Sequence, residues 1–233
     1  MTVHVRRLRA LAALLALAAG AARLQAEPQT YRVDPGRSHV RIHLDRTGLM
    51  KFMGHAHQID APVADGRVEV VDDDPARSTV SLRFDSARLA IVPGSEPADD
   101  IATVEQRMRG PEVLDVAHNP EIGFVSTSVR SVAAEGGGFR VVVGGNLTLR
   151  GRSVPVEVPL EVTRVADAGI EAHGETQLNL RDLGIEPPSV AGVVKVGNRF
   201  RLEFEIHASA NAPRGSVEHK PAASTRGQGS TKP

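Results

Sequence analysis

The sequence predicts an all-β domain of eight or nine antiparallel strands with one short helical insertion. Three observations predict it. Apolar and polar residues alternate with period two over long stretches of residues 27–210. Clusters of Gly, Asp and Pro separate those stretches at short intervals. One segment alone, after Asp99-Asp100, switches to helical spacing. In a strand, side chains i and i+2 share a face, so alternation means one wet face and one dry face. That pattern belongs to antiparallel sheets.

The strands can be taken in order. Val40, Ile42 and Leu44 alternate with His39, Arg41 and His43. Val80, Leu82 and Phe84 alternate with Ser81, Arg83 and Asp85. Val154, Val156, Val158, Leu160 and Val162 alternate with Pro155, Glu157, Pro159, Glu161 and Thr163. Ile170, Ala172, Thr176, Leu178 and Leu180 form the dry face of the next run, and Phe200, Leu202, Phe204 and Ile206 that of the last. Asp34-Pro35-Gly36 breaks the first strand, and Asp65-Gly66 and Asp72-Asp73-Asp74-Pro75 bound a stretch at 67–71. Gly136-Gly137-Gly138, Arg150-Gly151 and Asp167-Ala168-Gly169 make short links, which favour up-and-down neighbours. Gly144-Gly145 lies inside a strand, where glycine marks a bulge or a close backbone approach. In IATVEQRMRG, Ile101, Val104 and Met108 recur at helical spacing behind Asp99-Asp100 as N-cap, and Gly110-Pro111 ends the run.

Both ends of the chain read differently. Arg6, Arg7 and Arg9 precede an apolar run from Ala10 to Ala22. A run this short fits the apolar core of a secretory signal better than a membrane span, so residues 1–26 are expected to be removed on export; an uncleaved anchor is the alternative. The tail 211–233 is built of Pro, Gly, Ser, Thr and Ala, a composition expected to stay disordered. The folded unit is therefore 27–210. The chain has no cysteine, which excludes disulfides, thiolate metal sites and cysteine nucleophiles. Its formal charge of zero conceals an acidic centre: residues 27–210 carry 20 basic against 27 acidic side chains. With one Tyr and no Trp, that centre is a poor match for nucleic acid.

A sheet of this size, apolar on one face throughout, either packs as a sandwich or closes into a barrel, which removes its exposed edges. The dry faces are mostly Val, Leu, Ala and Ile, with few bulky fillers, so a closed barrel would leave room inside.

Five segments carry a family resemblance. YRVDPGRSHVRIHL (31–44), PEVLDVAHNPEIGFVSTSV (111–129), NLTLRGRSVPVEVPL (146–160) and LGIEPP with VGNRFRLEFEIHA (183–188, 196–208) resemble, in order, the YceI-like proteins. The resemblance implies a lipocalin-like antiparallel eight-stranded β-barrel, export to the periplasm, and, for some members, a polyisoprenoid, isoprenoid quinone or similar amphiphilic lipid held in the lumen. The ligand-binding candidates are then the inward Val40, Ile42, Leu44, Leu82, Phe84, Val156, Val158, Phe200, Leu202 and Phe204, with His55 and His57 at the polar end. A binding protein is expected, not an enzyme, with no cofactor. After signal cleavage it would not be an integral membrane protein. A homodimer through strands at the barrel seam stays open.

The stretch GHAHQIDAPV (54–63) puts His55 and His57 on one strand face with Ile59, Ala61 and Val63. Four roles compete. The pair could ligate a metal, although zinc needs three or four protein ligands. It could serve as a base for a hydroxyl nucleophile, with Asp60 or Asp65 as orienter, although no Gly-x-Ser-x-Gly elbow is present. It could hydrogen-bond a ligand head in the pocket. It could simply bond backbone. Arg107 and Arg109 could bind an anionic head at a barrel mouth, although such residues are more often simply exposed, and Asp72-Asp73-Asp74 reads as a solvated turn.

Overall fold

The computed structural model describes residues 27–47, 57–72, 74–135, 138–165, 169–190 and 194–210. The expected signal segment, the tail and His55 lie outside the described residues. Twelve strand segments form one antiparallel sheet: β1 (Gln29–Val33), β2 (His39–Thr47), β3 (His57–Asp60), β4 (Val63–Val70), β5 (Thr79–Asp85), β6 (Ala90–Ile91), β7 (Glu121–Glu135), β8 (Gly138–Leu149), β9 (Arg152–Val165), β10 (Gly169–Asn179), β11 (Ser189–Val190) and β12 (Val194–Ser209). The helix α1 spans Ala98–Arg109.

The sheet closes because three strands are interrupted without changing neighbours. β1 and β2 flank the Asp34–Ser38 kink, yet both pair with the same edge of β12, through Arg32–Ser209 and His39–Glu205. β3 and β4 flank Ala61-Pro62 and pair with β2 and β1 respectively. β5 and β6 continue the next strand, against β4 and β3. Joined this way, the segments make an eight-stranded closed barrel in up-and-down order, as the family resemblance implied. Among the described residues it leaves no long free edge except the one described below, between β9 and β10.

Sequence patterning explains which side chains enter the barrel. The alternation in β2, β5, β9, β10 and β12 puts each apolar set inside. Ile59, Ala61 and Val63 are all buried, so the chain keeps its facing through Pro62. In β7 an extra residue, Thr127, lies between Ser126 and Ser128 opposite Gly145 and Gly144. Such a bulge flips the facing, which is why Phe124 and Val129 both point inward. Gly144-Gly145 combines both readings of a strand glycine: a Cβ on Gly145 would lie 2.5 Å from the Phe124 ring.

Two expectations change. Asp65-Gly66 is not a turn. β4 runs through it with a bulge between Val63 and Asp65, and Gly66 is needed because Val33 and Leu82 occupy the space of its side chain. The helix starts earlier than Ile101. Its N-cap is Pro97, and Asp99 and Asp100 lie within the first turn, where they face the positive end of the helix dipole. Met108 is buried, with Ile101 and Val104 packed against the same core, as the spacing predicts.

The β8–β9 hairpin turns on Arg150 and Gly151, with φ of 50° and 69°. Two positive φ values make the turn whose twist suits a two-residue hairpin. Arg150 is not glycine, and its guanidinium is held by the carbonyls of Pro111, Glu112 and Gly184.

One stretch of the wall does not pair. The β9–β10 ladder runs from Val165–Gly169 to Leu160–Gly174 and stops, although β9 continues to Arg152 and β10 to Asn179. The carbonyls of Glu157 and Pro159 face β10, the first accepting from Thr176 Oγ1 and the second lying where a Gly174 Cβ would go. In an antiparallel strand every second residue offers its backbone to the same side. Pro155 and Pro159 therefore stand on the β10-facing edge with no N–H to give, and the strands part there.

Candidate functional site

The barrel encloses a cavity of about 350 Å³. Ligand pockets typically measure about 300–1,000 Å³, and an apolar cavity of about 150 Å³ already admits benzene. The walls are Val, Ile, Leu, Phe and Ala from every long strand, including all ten apolar candidates named from the sequence: Val40, Ile42, Leu44, Leu82, Phe84, Val156, Val158, Phe200, Leu202 and Phe204. Phe84, Val156 and Phe200 are almost wholly buried.

The two ends of the cavity differ. At one, α1 and the loops around it form a floor of Leu89, Met108, Leu114, Leu149, Leu180, Leu183 and Ile185, all buried. The floor is pinned by polar contacts outside the cavity. Glu105 Oε1 accepts from the Ile91 amide at 3.0 Å, and Arg109 donates to the Ala87 and Leu89 carbonyls at 3.1 Å each. Arg109 also pairs with Glu105, and Arg107 with Glu112. Arg109 thus braces the floor, Arg107 is exposed beside it, and neither lines the cavity. The sequence alone could not place these loops, because their contacts cross from one strand connection to another.

At the other end the lining reaches solvent. Asp72, Pro75, Ser78, Ser131, Phe139 and Arg164 surround the mouth, and Phe139 is 39 % exposed. Asp72 and Arg164 form an ion pair across it. Asp72 follows β4 and Arg164 is the penultimate residue of β9, 92 residues away. Asp72 and Asp74 are exposed, as expected of a solvated turn, while Asp73 lies outside the described residues; Asp72 also supplies half of this pair. Sequence reasoning missed Arg164. Its signal is a charged residue at an inward position of β9, one full alternation beyond Val162.

The histidines separate. The backbone of His57 is in β3, paired with Leu44 at the floor end; its side chain and all of His55 lie outside the described residues. His39 and His43 are on the outer face, with His43 Nε2 2.9 Å from Glu203. His173 also faces outward, on β10, with β12 and β2 between it and β3. His118 sits on the loop beyond α1, bonded to Asp115 at 2.9 Å. Among the described residues no group of three or more His, Asp or Glu side chains is arranged to hold a metal ion. Nor is any described helix long and apolar enough to cross a membrane.

The charged chemistry of the described barrel lies mainly on its outer wall. His207 contacts Glu171 through Nδ1 and Glu205 through Nε2, both at 3.0 Å. That hydrogen bond, with added positive potential from His207, His173 and His39, holds the Glu205 carboxyl below its usual range. None of these groups lines the cavity.

Comparison with known proteins agrees with the geometry. The fold resembles the crystal structure of Burkholderia cenocepacia BcnA, with a TM-score of 0.58 and 18 % identity, covering 76 % of this chain and 99 % of that one. It also resembles a polyisoprenoid binding domain from Saccharophagus degradans implicated in plant cell wall breakdown, with a TM-score of 0.54 and 14 % identity over 80 % of this chain and 100 % of that one. No curated protein sequence matches the chain. The model of the YceI-like domain matches residues 31–208, most of the chain, and the chain therefore belongs to the YceI-like family.

Proposed function

We propose that the protein is an exported carrier that holds a polyisoprenoid, an isoprenoid quinone or a similar amphiphile in its barrel, tail toward the floor and head at the mouth. One observation carries the reading: an apolar cavity of about 350 Å³, walled by aliphatic and aromatic side chains, with a buried apolar floor at one end and exposed lining residues at the other among the described residues. The family, and the polyisoprenoid-binding description of one structural neighbour, support it. So does the signal-like segment before residue 27, which supports export.

The physics favours a chain ligand. Burying hydrocarbon contributes about 0.8 kcal/mol per CH₂, so one five-carbon isoprene unit supplies roughly 4 kcal/mol gross. Three or four units offset the ordering costs and still leave about −8 kcal/mol, micromolar affinity. A smooth apolar wall distinguishes chain lengths poorly. The family and the polyisoprenoid-binding neighbour favour binding over turnover.

Mass spectrometry of an organic extract of the purified protein tests this. A co-purified isoprenoid or other long-chain lipid is the expected result. Val158→Trp, which fills the lumen from a partly buried wall position, should retain the β circular dichroism spectrum and lose the lipid. A clean extract, together with no binding of added farnesol by the unmodified chain, would sink the carrier reading.

A further inference from the structure

The mouth carries the only two charged side chains among the described cavity lining, and each is already engaged by the other. We propose that the Asp72–Arg164 pair makes this mouth selective for uncharged polar heads, alcohol or quinone, and that Asp72 is the specificity-determining residue against phosphate-bearing ones. The inference rests on the carrier reading above and names which members of that ligand class the site takes.

The argument is one of donors, acceptors and charge. A guanidinium has five N–H donors, and Asp72 accepts from Nη2. The remaining donors can serve a hydroxyl or carbonyl oxygen without breaking the pair. The carboxylate keeps lone pairs for a hydroxyl proton. Ser78 Oγ accepts from the Val71 amide at 3.0 Å and keeps its own proton to donate, and Ser131 adds a second hydroxyl at the rim. A neutral head therefore finds both kinds of partner at an intact pair.

A phosphate meets a different site. The cation it would seek, Arg164, is the one that Asp72 already occupies. To reach it, the phosphate must either displace the carboxylate or sit beside it, and like charges at such range repel. Arg77, on the same connection as Asp72, does not line the cavity. The pair is also placed to matter: the side chains of Arg164 and Asp72 are 42 % and 57 % exposed, so a chain anchored on the floor delivers its head to them. Partial exposure also means that a variant of either residue should leave the fold intact.

The test uses the full mature chain, N-phenyl-1-naphthylamine as a fluorescent apolar probe, and two competitors with the same tail, farnesol and farnesyl diphosphate. The unmodified protein should prefer the alcohol. That preference alone is not diagnostic, because a diphosphate also holds water more tightly. The diagnostic quantity is its change on mutation. Asp72→Asn should tighten farnesyl diphosphate by about tenfold while moving farnesol by less than about twofold, since one like charge is removed and the uncharged head loses little. Arg164→Gln should weaken the diphosphate further. If farnesol displaces the probe but the alcohol-to-diphosphate ratio is the same in Asp72→Asn and the unmodified chain, the mouth has no such role and the carrier reading stands. If neither competitor displaces the probe, the carrier reading fails and this inference with it.

Discussion

Thr176 Oγ1 donates a hydrogen bond of 3.0 Å to the carbonyl of Glu157, across the part of the wall where the β9–β10 ladder has stopped. A side chain here replaces backbone pairing that Pro155 and Pro159 make impossible. The wall is therefore sealed by one hydroxyl where elsewhere it is sealed by a ladder, and the opening lies beside Val156, Val158 and Leu178, all of which line the cavity.

Thr176→Val keeps the shape and removes the hydroxyl. We expect a loss of about 1 kcal/mol in unfolding free energy, the usual value of one net hydrogen bond. Amide exchange by NMR gives the sharper check. The Glu157 amide, on the β10-facing edge, should exchange faster than those of Val156 and Val158, which face β8, and the mutation should widen that contrast. Equal protection of all three would mean the wall is closed by something other than Thr176.

Gly174 marks the point where the ladder ends, and a Cβ there would lie 2.3 Å from the Pro159 carbonyl and 2.8 Å from Leu160. Backbone on one side leaves little room to shift. Gly174→Ala should destabilise the barrel by about 2 kcal/mol, within the range for overpacking. Gly123→Ala is the control, because a Cβ there meets nothing within 4 Å. It should be neutral or slightly stabilising in the same thermal denaturation series, since it restricts the unfolded chain.

Two surface groups predict opposite pH arms. Glu205 is held below its usual carboxyl range, chiefly by the hydrogen bond from His207. A depressed carboxyl contributes stability that is present above its unfolded value and lost as pH falls through the folded one. His118 is raised above 6.5, first by its hydrogen bond to Asp115 and then by that residue's charge. Its contribution is complete below 6.5 and is lost as pH rises through the folded value. Melting temperature measured against pH should therefore lose part of its acid-side slope in Glu205→Gln and part of its slope above neutrality-side pH 6.5 in His118→Gln. If each substitution shifts the curve uniformly, neither group is linked to folding.

Much of the fold and of the candidate site was legible in the sequence, for a local reason. Which face of a strand a residue occupies depends on its parity along the chain, so Val40, Ile42, Leu44, Phe200, Leu202 and Phe204 could be set on the dry face of the sheet from alternation alone. The break at Pro155 and Pro159 went unread: two prolines four apart put two missing donors on one edge of β9, a signal that counting side-chain faces overlooks. Asp65-Gly66 misled, since a turn pair and a strand glycine crowded by Val33 and Leu82 look alike in one dimension.

Tertiary structure decided what depends on partners. Alternation is compatible with sandwich or barrel; only the meeting of β1 and β2 with β12, across most of the chain length, closes the sheet. Which end of the lumen is floored by α1 and which is open is likewise settled by contacts between connections. So is the meeting of Asp72 with Arg164 across 92 residues. Facing is a property of consecutive residues, whereas closure, a floor and a charged mouth are properties of strands brought together by folding, and no local pattern encodes their juxtaposition.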